Sequence, residues 1–490
     1  MTMNVKVISR NVGFALLVSA LFMFLSILVS VSNPNGNDSA LAALTISFII
    51  TFIVGVFPFI FVRKSDTISL QDGYMIIFLS WLLSFIFGML PYALWGGPFS
   101  VINALFESVS GFTTTGATIL DNVEVIPKSL LFWRSSTHFI GGLGVVVFLL
   151  LIIPSSSPTR LRLTNMELSS LSREGYRSRA NKMVLVFANM YFGLTFAAFV
   201  CYLLCGMSVF DAVNHAFSVV ATGGFSTKNM SIAYFHSIPI DIVTMVFMVL
   251  SSIHFGFLFL AIVTRSLKPL DNPIIKYYLF CLAAVSIVVS IMLHVSGTYS
   301  GWAHSFLSGS FQVISMASAT GFAITDNSSW PLYISAVILF VMIQGGCAGS
   351  TCGGVKCDRT FVLFKALGRQ IRSAVHPNVV REVKIGNNIL RDDAVSKTVL
   401  YIALYFILIF ISSGICLLSG VDADNSVVAT VSALETAGPA VGRMGFLGNY
   451  NSISVVAKLT LIIDMFLGRV EIYPVFAAMS LIFSRRKRKQ

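Results

Sequence analysis

The sequence predicts an all-α polytopic membrane protein: four pseudo-repeated span–pore helix–span units around one pore, plus two N-terminal spans. Three observations predict this. Of 490 residues, 56% are hydrophobic and only 11% are charged, with a mean hydropathy of +0.84; a soluble domain carries about 25% charged residues. Apolar runs of the roughly 20 residues needed to cross a ~30 Å hydrocarbon core recur from end to end. A short amphipathic run followed by a Thr/Ala–Gly step occurs four times, at intervals of about 100 residues.

Taken in order, full spans are expected near 11–31, 41–62, 74–95, 130–153, 184–205, 239–264, 274–296, 332–357, 396–419 and 455–483. The first run is too long for a signal-peptide core and no convincing cleavage site accompanies it, so it reads as a retained helix. The chain then divides into two N-terminal spans (1–68) and repeats at 69–160, 161–268, 269–390 and 391–490, the third carrying a glycine-rich intramembrane loop. Most of the 33 basic residues fall on one side of these spans, including Lys6, Arg10, Arg63, Lys64, Arg265, Lys268 and Lys276 and the clusters within 160–182, 356–397 and 485–489. Lys228 and Arg443 are among the few on the other side. This asymmetry places both termini in the cytoplasm. The net charge of +12 is thus a matter of topology and of attraction to anionic lipid headgroups, and calls for no nucleic-acid partner.

Cysteines carry little signal at this level. Cys201, Cys205, Cys281 and Cys416 lie in apolar spans, where the side chain acts as a small hydrophobe. Cys347, Cys352 and Cys357 follow one another at a spacing that suits neither zinc ligation nor a redox pair.

The four recurrences are "GFTTTGATILD" (Gly111–Asp121), "HAFSVVATGGFST" (His215–Thr227), "VISMASATGFAIT" (Val313–Thr325) and "VSALETAGPAVG" (Val431–Gly442), anchored by Gly116, Gly224, Gly321 and Gly438. All four fall on the extracytoplasmic side. Each short helix is too short to cross the bilayer, and unwound backbone at membrane depth survives only when buried in protein or lining a water-filled cavity. Four such loops meet both conditions by converging on one axis, where backbone carbonyls can replace the hydration shell of a cation. Uncharged oxygen ligation of this type suits a monovalent cation better than a divalent one, which draws carboxylates.

The stretches "SVSGFTTTGAT", "FWRSSTHFIGGLGVVVF", "AFSVVATGGFST", "ASATGF", "GGCAGSTCGGVK", "ETAGPAVG" and "LGRVEIYPV" resemble the Trk/Ktr superfamily of potassium-uptake proteins, and most of all its bacterial TrkH branch. The resemblance covers essentially the whole chain and keeps seven motifs in order. It implies potassium uptake, with K⁺ as the bound and transported ion, a homodimer with one pore per subunit, an inner-membrane location and a cytosolic TrkA-type nucleotide-binding regulatory subunit. Carried over residue by residue, it implies a filter of Thr114, Thr115 and Gly116; Thr222, Gly223 and Gly224; Ala319, Thr320 and Gly321; and Thr436, Ala437 and Gly438. Sodium-preferring plant relatives have Ser for the first filter glycine, so four glycines favour potassium. Cys352 departs from the glycine usual at its position in the family.

"IQGGCAGSTCGGVK" (Ile343–Lys356) interrupts the eighth span with Gly345, Gly346, Gly349, Gly353 and Gly354. Each glycine costs a helix roughly 1 kcal/mol relative to Ala, so the stretch is expected to unwind. Close helix packing through GxxxG spacing is the competing reading, and the resemblance implies a gate at this loop, which includes Ser350. Arg469 reads as part of that gate, standing in the permeation path below the filter, with a salt bridge to another span as the other reading. The loop itself is expected to contribute little packing. Charges inside spans default to functional readings. Arg469 sits mid-span, and neither Glu471 nor Asp464 stands at the i±3 or i±4 position that would let it pair along the helix. Glu107 and Glu435 on the pore helices read equally as cation attractants or as acceptors for loop backbone. Arg134 and His138 read as interfacial anchors, and His215 as a packing or hydrogen-bonding residue.

The basic segments 154–182 and 356–397 read as docking sites for the cytosolic partner. The chain has neither GxxxxGK[ST] nor a strand–GxGxxG–helix unit, so a nucleotide response has to come through that partner. An intramembrane enzyme with Ser350 as nucleophile is disfavoured, because the sequence holds no GxSxG turn and no HExxH. A sodium-coupled or sodium-selective transporter remains the alternative within transport, since a filter reads the same whether flow is passive or coupled.

Overall fold

The computed structural model describes residues 3–32, 38–63, 69–144, 180–376, 382–386, 388–438 and 448–487. The N-terminal helices α1 (Val5–Val31) and α2 (Leu41–Phe61) form a hairpin. They pack through small residues: a Cβ at Gly13 would sit 2.6 Å from the Gly55 carbonyl oxygen. Such contact is how helices associate where lipid removes any hydrophobic gain between them.

Four helical units follow. In the first, α3 (Leu70–Gly88) and α4 (Leu90–Trp95), separated at Met89 with Pro91 next in the chain, lead to the pore helix α5 (Val101–Phe112) and the return helix α6 (Lys128–Leu143). The second has α7 (Ala180–Leu204), pore helix α8 (Val209–Val220), α9 (Ile238–Ser252) and α10 (Phe255–Thr264). The third has α11 (Pro273–Val295), pore helix α12 (Trp302–Ala317), α13 (Leu332–Gln344) and α14 (Cys357–Val375). The fourth has α15 (Asp392–Leu418), pore helix α16 (Ala423–Glu435), α17 (Val455–Val470) and α18 (Ile472–Lys487). A hairpin of two-residue strands, β1 (Lys384–Ile385) and β2 (Asn388–Ile389), precedes α15.

The pore helices are buried over much of their length. Ser100 and Ser208 cap α5 and α8, their hydroxyls accepting from the amides of Asn103 and Asp211, as an N-cap serine does. Toward their C-termini the pore helices are enclosed, with Ser108, Val109, Phe112, Ser218, Val220 and Leu434 fully buried. Long, apolar first spans surround them; six spans among the described residues, α3 and α4 counted as one, have the length and composition to cross a membrane.

The second spans of repeats 1, 2 and 4 depart from expectation, while that of repeat 3 unwinds at Gly345 as its glycines predict. The runs 130–153, 239–264, 332–357 and 455–483 are not continuous helices. α6 stops at Gly144 (φ 75°), α13 at Gly345 (φ 63°), and α17 at Glu471 (φ 67°); α9 and α10 meet at a bend of 103° across Ile253–His254. A positive φ ends a helix, and for Glu471 it is an uncommon conformation that its surroundings hold in place. The tail of the expected fourth span and the segment 154–179, with Arg160, Arg162, Arg173, Arg177 and Arg179, lie outside the described residues. So does the junction between segments 69–160 and 161–268. Much of the basic stretch 356–397, expected as a loop, is the amphipathic helix α14 followed by the small hairpin.

Candidate cation site and the loop beneath it

The four returns share one backbone conformation. Thr114 and Gly116 have φ of 54° and 83°, Thr222 and Gly224 of 55° and 77°, Ala319 and Gly321 of 53° and 81°, and Thr436 and Gly438 of 54° and 86°. The residue between each pair is not in the positive-φ region. This alternation lets successive carbonyls face the same side. Each turn is fastened identically: the amides of Thr115, Gly223, Thr320 and Ala437 donate to the carbonyls of Ser110, Ser218, Ser315 and Ser432 at 2.9, 2.8, 2.9 and 3.0 Å. Those serines recur six residues before each anchoring glycine, a periodicity the sequence holds and motif reading missed.

The loops meet edge to edge. A Cβ at Gly116 would collide with the carbonyl oxygen of Gly223, one at Gly224 with that of Thr320, and one at Gly438 with that of Thr115. Each of these three glycines therefore abuts the carbonyl that precedes the glycine of a neighbouring repeat, and Gly116, Gly224, Gly321 and Gly438 all line a single cavity. The structure thus brings together all four triplets named from the sequence. No cluster of three or more His, Cys, Asp or Glu side chains suited to a metal occurs among the described residues. What the ring offers is carbonyl oxygen, plus the hydroxyls of Thr114 and Thr436, which are buried without a hydrogen-bond partner among the described residues. The C-termini of α5, α8, α12 and α16 end immediately before it, and a helix C-terminus carries about −0.5 elementary charge. Such a site attracts a cation without any formal negative charge.

Charged residues behind the ring are spoken for. Glu107 is fully buried and bonds Arg134 at 2.7 Å, while also accepting from the Thr118 hydroxyl at 3.0 Å and the Ile119 amide at 3.1 Å. Arg134 in turn donates to the Ser226 carbonyl at 3.3 Å and lies 3.8 Å over the Phe225 ring. The two readings of Glu107 resolve in favour of holding loop backbone. Arg134 and His138 are not interfacial anchors: both are buried, His138 stacking on Phe225 at 4.1 Å and facing the Ser218 hydroxyl at 3.3 Å. They tie repeat 1 to the second loop. His215 is a hydrogen-bonding residue, with Nδ1 2.8 Å from the Asp211 carbonyl and Nε2 3.0 Å from the Ser226 hydroxyl.

Residues 345–356 are non-helical and pass beneath the ring. Contrary to expectation, this loop is closely packed. The Cys347 amide donates to Ser252 at 2.9 Å, the Thr351 hydroxyl to the Val220 carbonyl at 3.0 Å, the Cys352 thiol to the Ser318 carbonyl at 3.0 Å, and the Val355 amide to Glu435 at 3.4 Å. The loop thereby touches the pore-helix ends of repeats 2, 3 and 4. Its glycines serve this approach rather than a GxxxG helix contact: a Cβ at Gly353 would strike the Thr436 side chain and one at Gly354 the Glu435 carboxylate. Glu435 accepts from the Tyr405 hydroxyl at 2.7 Å as well. Ser350 donates to the Cys347 carbonyl at 2.6 Å, a bond within its own turn. The loop also folds back on itself, which brings Cys347 and Cys357 within 3.5 Å despite a spacing that argued against pairing.

Arg469 links this loop to repeat 1. It donates to the Gly141 carbonyl on α6 at 2.6 Å and to the Thr351 carbonyl. The other acids of its span pair elsewhere, as helical spacing required: Glu471 with the buried Arg359 at 2.9 Å, which also lies 3.8 Å over Tyr401, and Asp464 with the Ser412 hydroxyl at 2.8 Å. The Arg359–Glu471 pair was not found from sequence, because it joins residues far apart in the chain.

Fold and site together define an all-α membrane protein whose four re-entrant loops meet at one oxygen-lined point. Over residues 40–487 the chain matches the family described as TrkH, cation transport protein. It is 30% identical over 487 residues to the Trk system potassium uptake protein TrkH of Escherichia coli (strain K12), covering 99% of this chain and 100% of that one. To the Trk system potassium uptake protein TrkG of the same organism it is 32% identical over 495 residues, covering 99% of each. The crystal structure of the potassium transporter TrkH from Vibrio parahaemolyticus is similar with a TM-score of 0.87 and 28% identity, over 98% of both chains. The chain belongs to the TrkH family of cation transport proteins.

Glu107→Ala would leave the Arg134 guanidinium buried without its carboxylate, a loss of about 3–5 kcal/mol for a broken buried pair. Thermal unfolding of the detergent-solubilised variant should show a marked drop. The double variant Glu107→Leu with Arg134→Met should recover part of it; an unchanged melting profile for Glu107→Ala would mean the pair does not brace the loop.

Proposed function

We propose that the protein takes up potassium across the inner membrane through the ring of Thr114–Gly116, Thr222–Gly224, Ala319–Gly321 and Thr436–Gly438, with both termini in the cytoplasm. The observation that carries this reading is the fourfold recurrence of the same positive-φ pair, with Gly116, Gly224 and Gly438 each against a neighbouring repeat's carbonyl. Dehydrated K⁺ is bound where carbonyl oxygens stand in for water, and the pore-helix ends add favourable potential. The relatives named as potassium uptake proteins match over nearly the whole chain, which supports potassium as the ion. In this reading the 345–356 loop, with Gly345, Gly346, Gly349, Ser350, Gly353 and Gly354, is a gate held by Arg469, and the functional unit is a homodimer with one pore per subunit. A cytosolic TrkA-type nucleotide-binding partner regulates it by docking on the basic cytoplasmic segments.

Selectivity is tested by flux competition among potassium, rubidium and sodium in reconstituted vesicles. A side chain at any ring glycine displaces the carbonyl beside it, so Gly116→Ser should raise sodium permeation relative to potassium. Wild-type preference in Gly116→Ser, Gly224→Ser, Gly321→Ser and Gly438→Ser alike would remove the filter reading.

Arg469 acts on flow in two ways, by fastening the loop and by its charge. A guanidinium about 5 Å from the ion at an effective dielectric of about 20 repels it by ~3 kcal/mol, about a hundredfold in rate. Arg469→Ala should therefore raise flux while the protein stays folded. A fall in both flux and thermal stability would make Arg469 a structural tie alone.

Docking of the partner is checked on the segment 154–182. Neutralising Arg173, Arg177 and Arg179 together should weaken co-purification, and added salt should weaken it further, since exposed charges are screened within about 8–10 Å. Binding indifferent to both would exclude this surface.

A further inference from the structure

We propose that Cys347 and Cys357 are a redox-sensitive pair, oxidised by hydrogen peroxide to a disulfide that staples the base of the 345–356 loop and holds the ion path shut. The consequence for flux rests on the reading of that loop as a gate; the pairing itself rests on geometry. Cys347 follows the end of α13 and Cys357 begins α14, so the two thiols stand at the loop's two ends. Their sulfurs are 3.5 Å apart, and a disulfide needs about 2.05 Å. The backbone is already joined at this place, the Cys357 amide donating to the Gly346 carbonyl at 2.9 Å. The third thiol of the loop, Cys352, is engaged with the Ser318 carbonyl, which leaves the pairing of the other two unambiguous.

The chemistry balances with one equivalent of peroxide. One thiol sulfur attacks the peroxide O–O bond, giving a sulfenic acid and water. The second sulfur then displaces that hydroxyl as water, forming the S–S bond. Two electrons pass from the sulfurs to the peroxide, and both thiol protons end in water. Asp358 Oδ2, 3.9 Å from the Cys357 sulfur, is a carboxylate at hand for the proton of that thiol. Both cysteines are almost fully buried, at 1% and 0% exposure. Buried thiols react slowly, so the pair stays reduced in an ordinary cytosol and answers only to a small uncharged oxidant. Once joined, the stretch between them is a closed ring of chain whose extended states are removed, and it cannot be drawn aside from below the filter.

The test uses the full-length protein in proteoliposomes, treated with hydrogen peroxide and then with a reducing agent. Rubidium flux and peptide mapping of the 347–357 linkage are read on the same samples. The expected result is a Cys347–Cys357 disulfide with loss of flux, both reversed by reduction, and flux that resists peroxide in Cys347→Ser and Cys357→Ser. A disulfide that forms with flux unchanged keeps the pairing and sinks the loop as the gate. Absence of the linkage in oxidised wild type, or loss of flux through any other thiol, overturns the pairing; the wild-type map decides this even if a serine variant fails to fold.

Discussion

Close approach of backbone to backbone at the four glycines is the constraint from which the rest of the structure follows. An uncharged oxygen site can bind a cation only if many carbonyls stand at one place, and carbonyls can be gathered so tightly only where no Cβ intervenes. Gly116 against Gly223, Gly224 against Thr320 and Gly438 against Thr115 meet that demand. Irregular backbone of this kind is costly at membrane depth unless it is enclosed, so each return sits on a buried pore helix, and the serine carbonyl six residues back fastens its turn. The buried Glu107–Arg134 pair belongs to the same requirement. Glu107 spends its carboxylate on the backbone just past Gly116, and Arg134 reaches the Ser226 carbonyl of the second loop, so repeats 1 and 2 are locked in register by charge-assisted bonds.

What the sequence made legible was whatever is written locally. Span length and apolar composition marked the membrane helices, and the repeated Thr/Ala–Gly step marked all four ring segments, because a positive φ leaves its trace in the choice of glycine. The breaks in the second spans were not legible as a set. Gly144 and Gly345 are visible signals, but Glu471 adopts φ 67° through a pairing with Arg359 that lies more than a hundred residues away. Arg134 and His138 were misread for the same reason. A charged or ionisable residue near a span end looks like an anchor until the partner that buries it is known, and Glu107 and Phe225 come from other segments. The loop was read correctly as unwound and wrongly as loosely packed: glycine content signals the loss of helix, but not whether the freed backbone faces water or protein.

Below the ring the fourfold likeness ends. At the position three residues before each anchoring glycine stand Thr113, Ala221, Ser318 and Glu435; Ser318 meets the 345–356 loop through its backbone carbonyl, whereas Glu435 reaches it with its side chain. Among the described residues, repeat 3 has such a loop in place of a continuing helix, and repeat 4 supplies Arg469, which bonds it. Selectivity by a ring needs four equal contributions, since one displaced carbonyl spoils the cage. Obstruction needs just one, since a path blocked at any point is blocked. The structure is alike in all four repeats at the ring and unlike beneath it, which is the division that the proposed filter and gate would need.

This division also decides how a signal could reach the path without altering the ring. The loop's two ends are α13 and α14. α14 carries much of the basic segment 356–397, and its buried Arg359 is paired to Glu471 at the break in α17. A force on α14 therefore acts on the loop and on the break of repeat 4 together, while the pore helices, anchored by their own spans, are not in line with it. Arg469, two residues before that break, bonds the Thr351 carbonyl at the far side of the loop and the Gly141 carbonyl of repeat 1. Moving α14 would strain these bonds before any bond that shapes the ring. Hydrogen bonds from a charged donor to backbone carbonyls are each worth about 1.5–3 kcal/mol, so the two that Arg469 makes tie the loop to repeat 1.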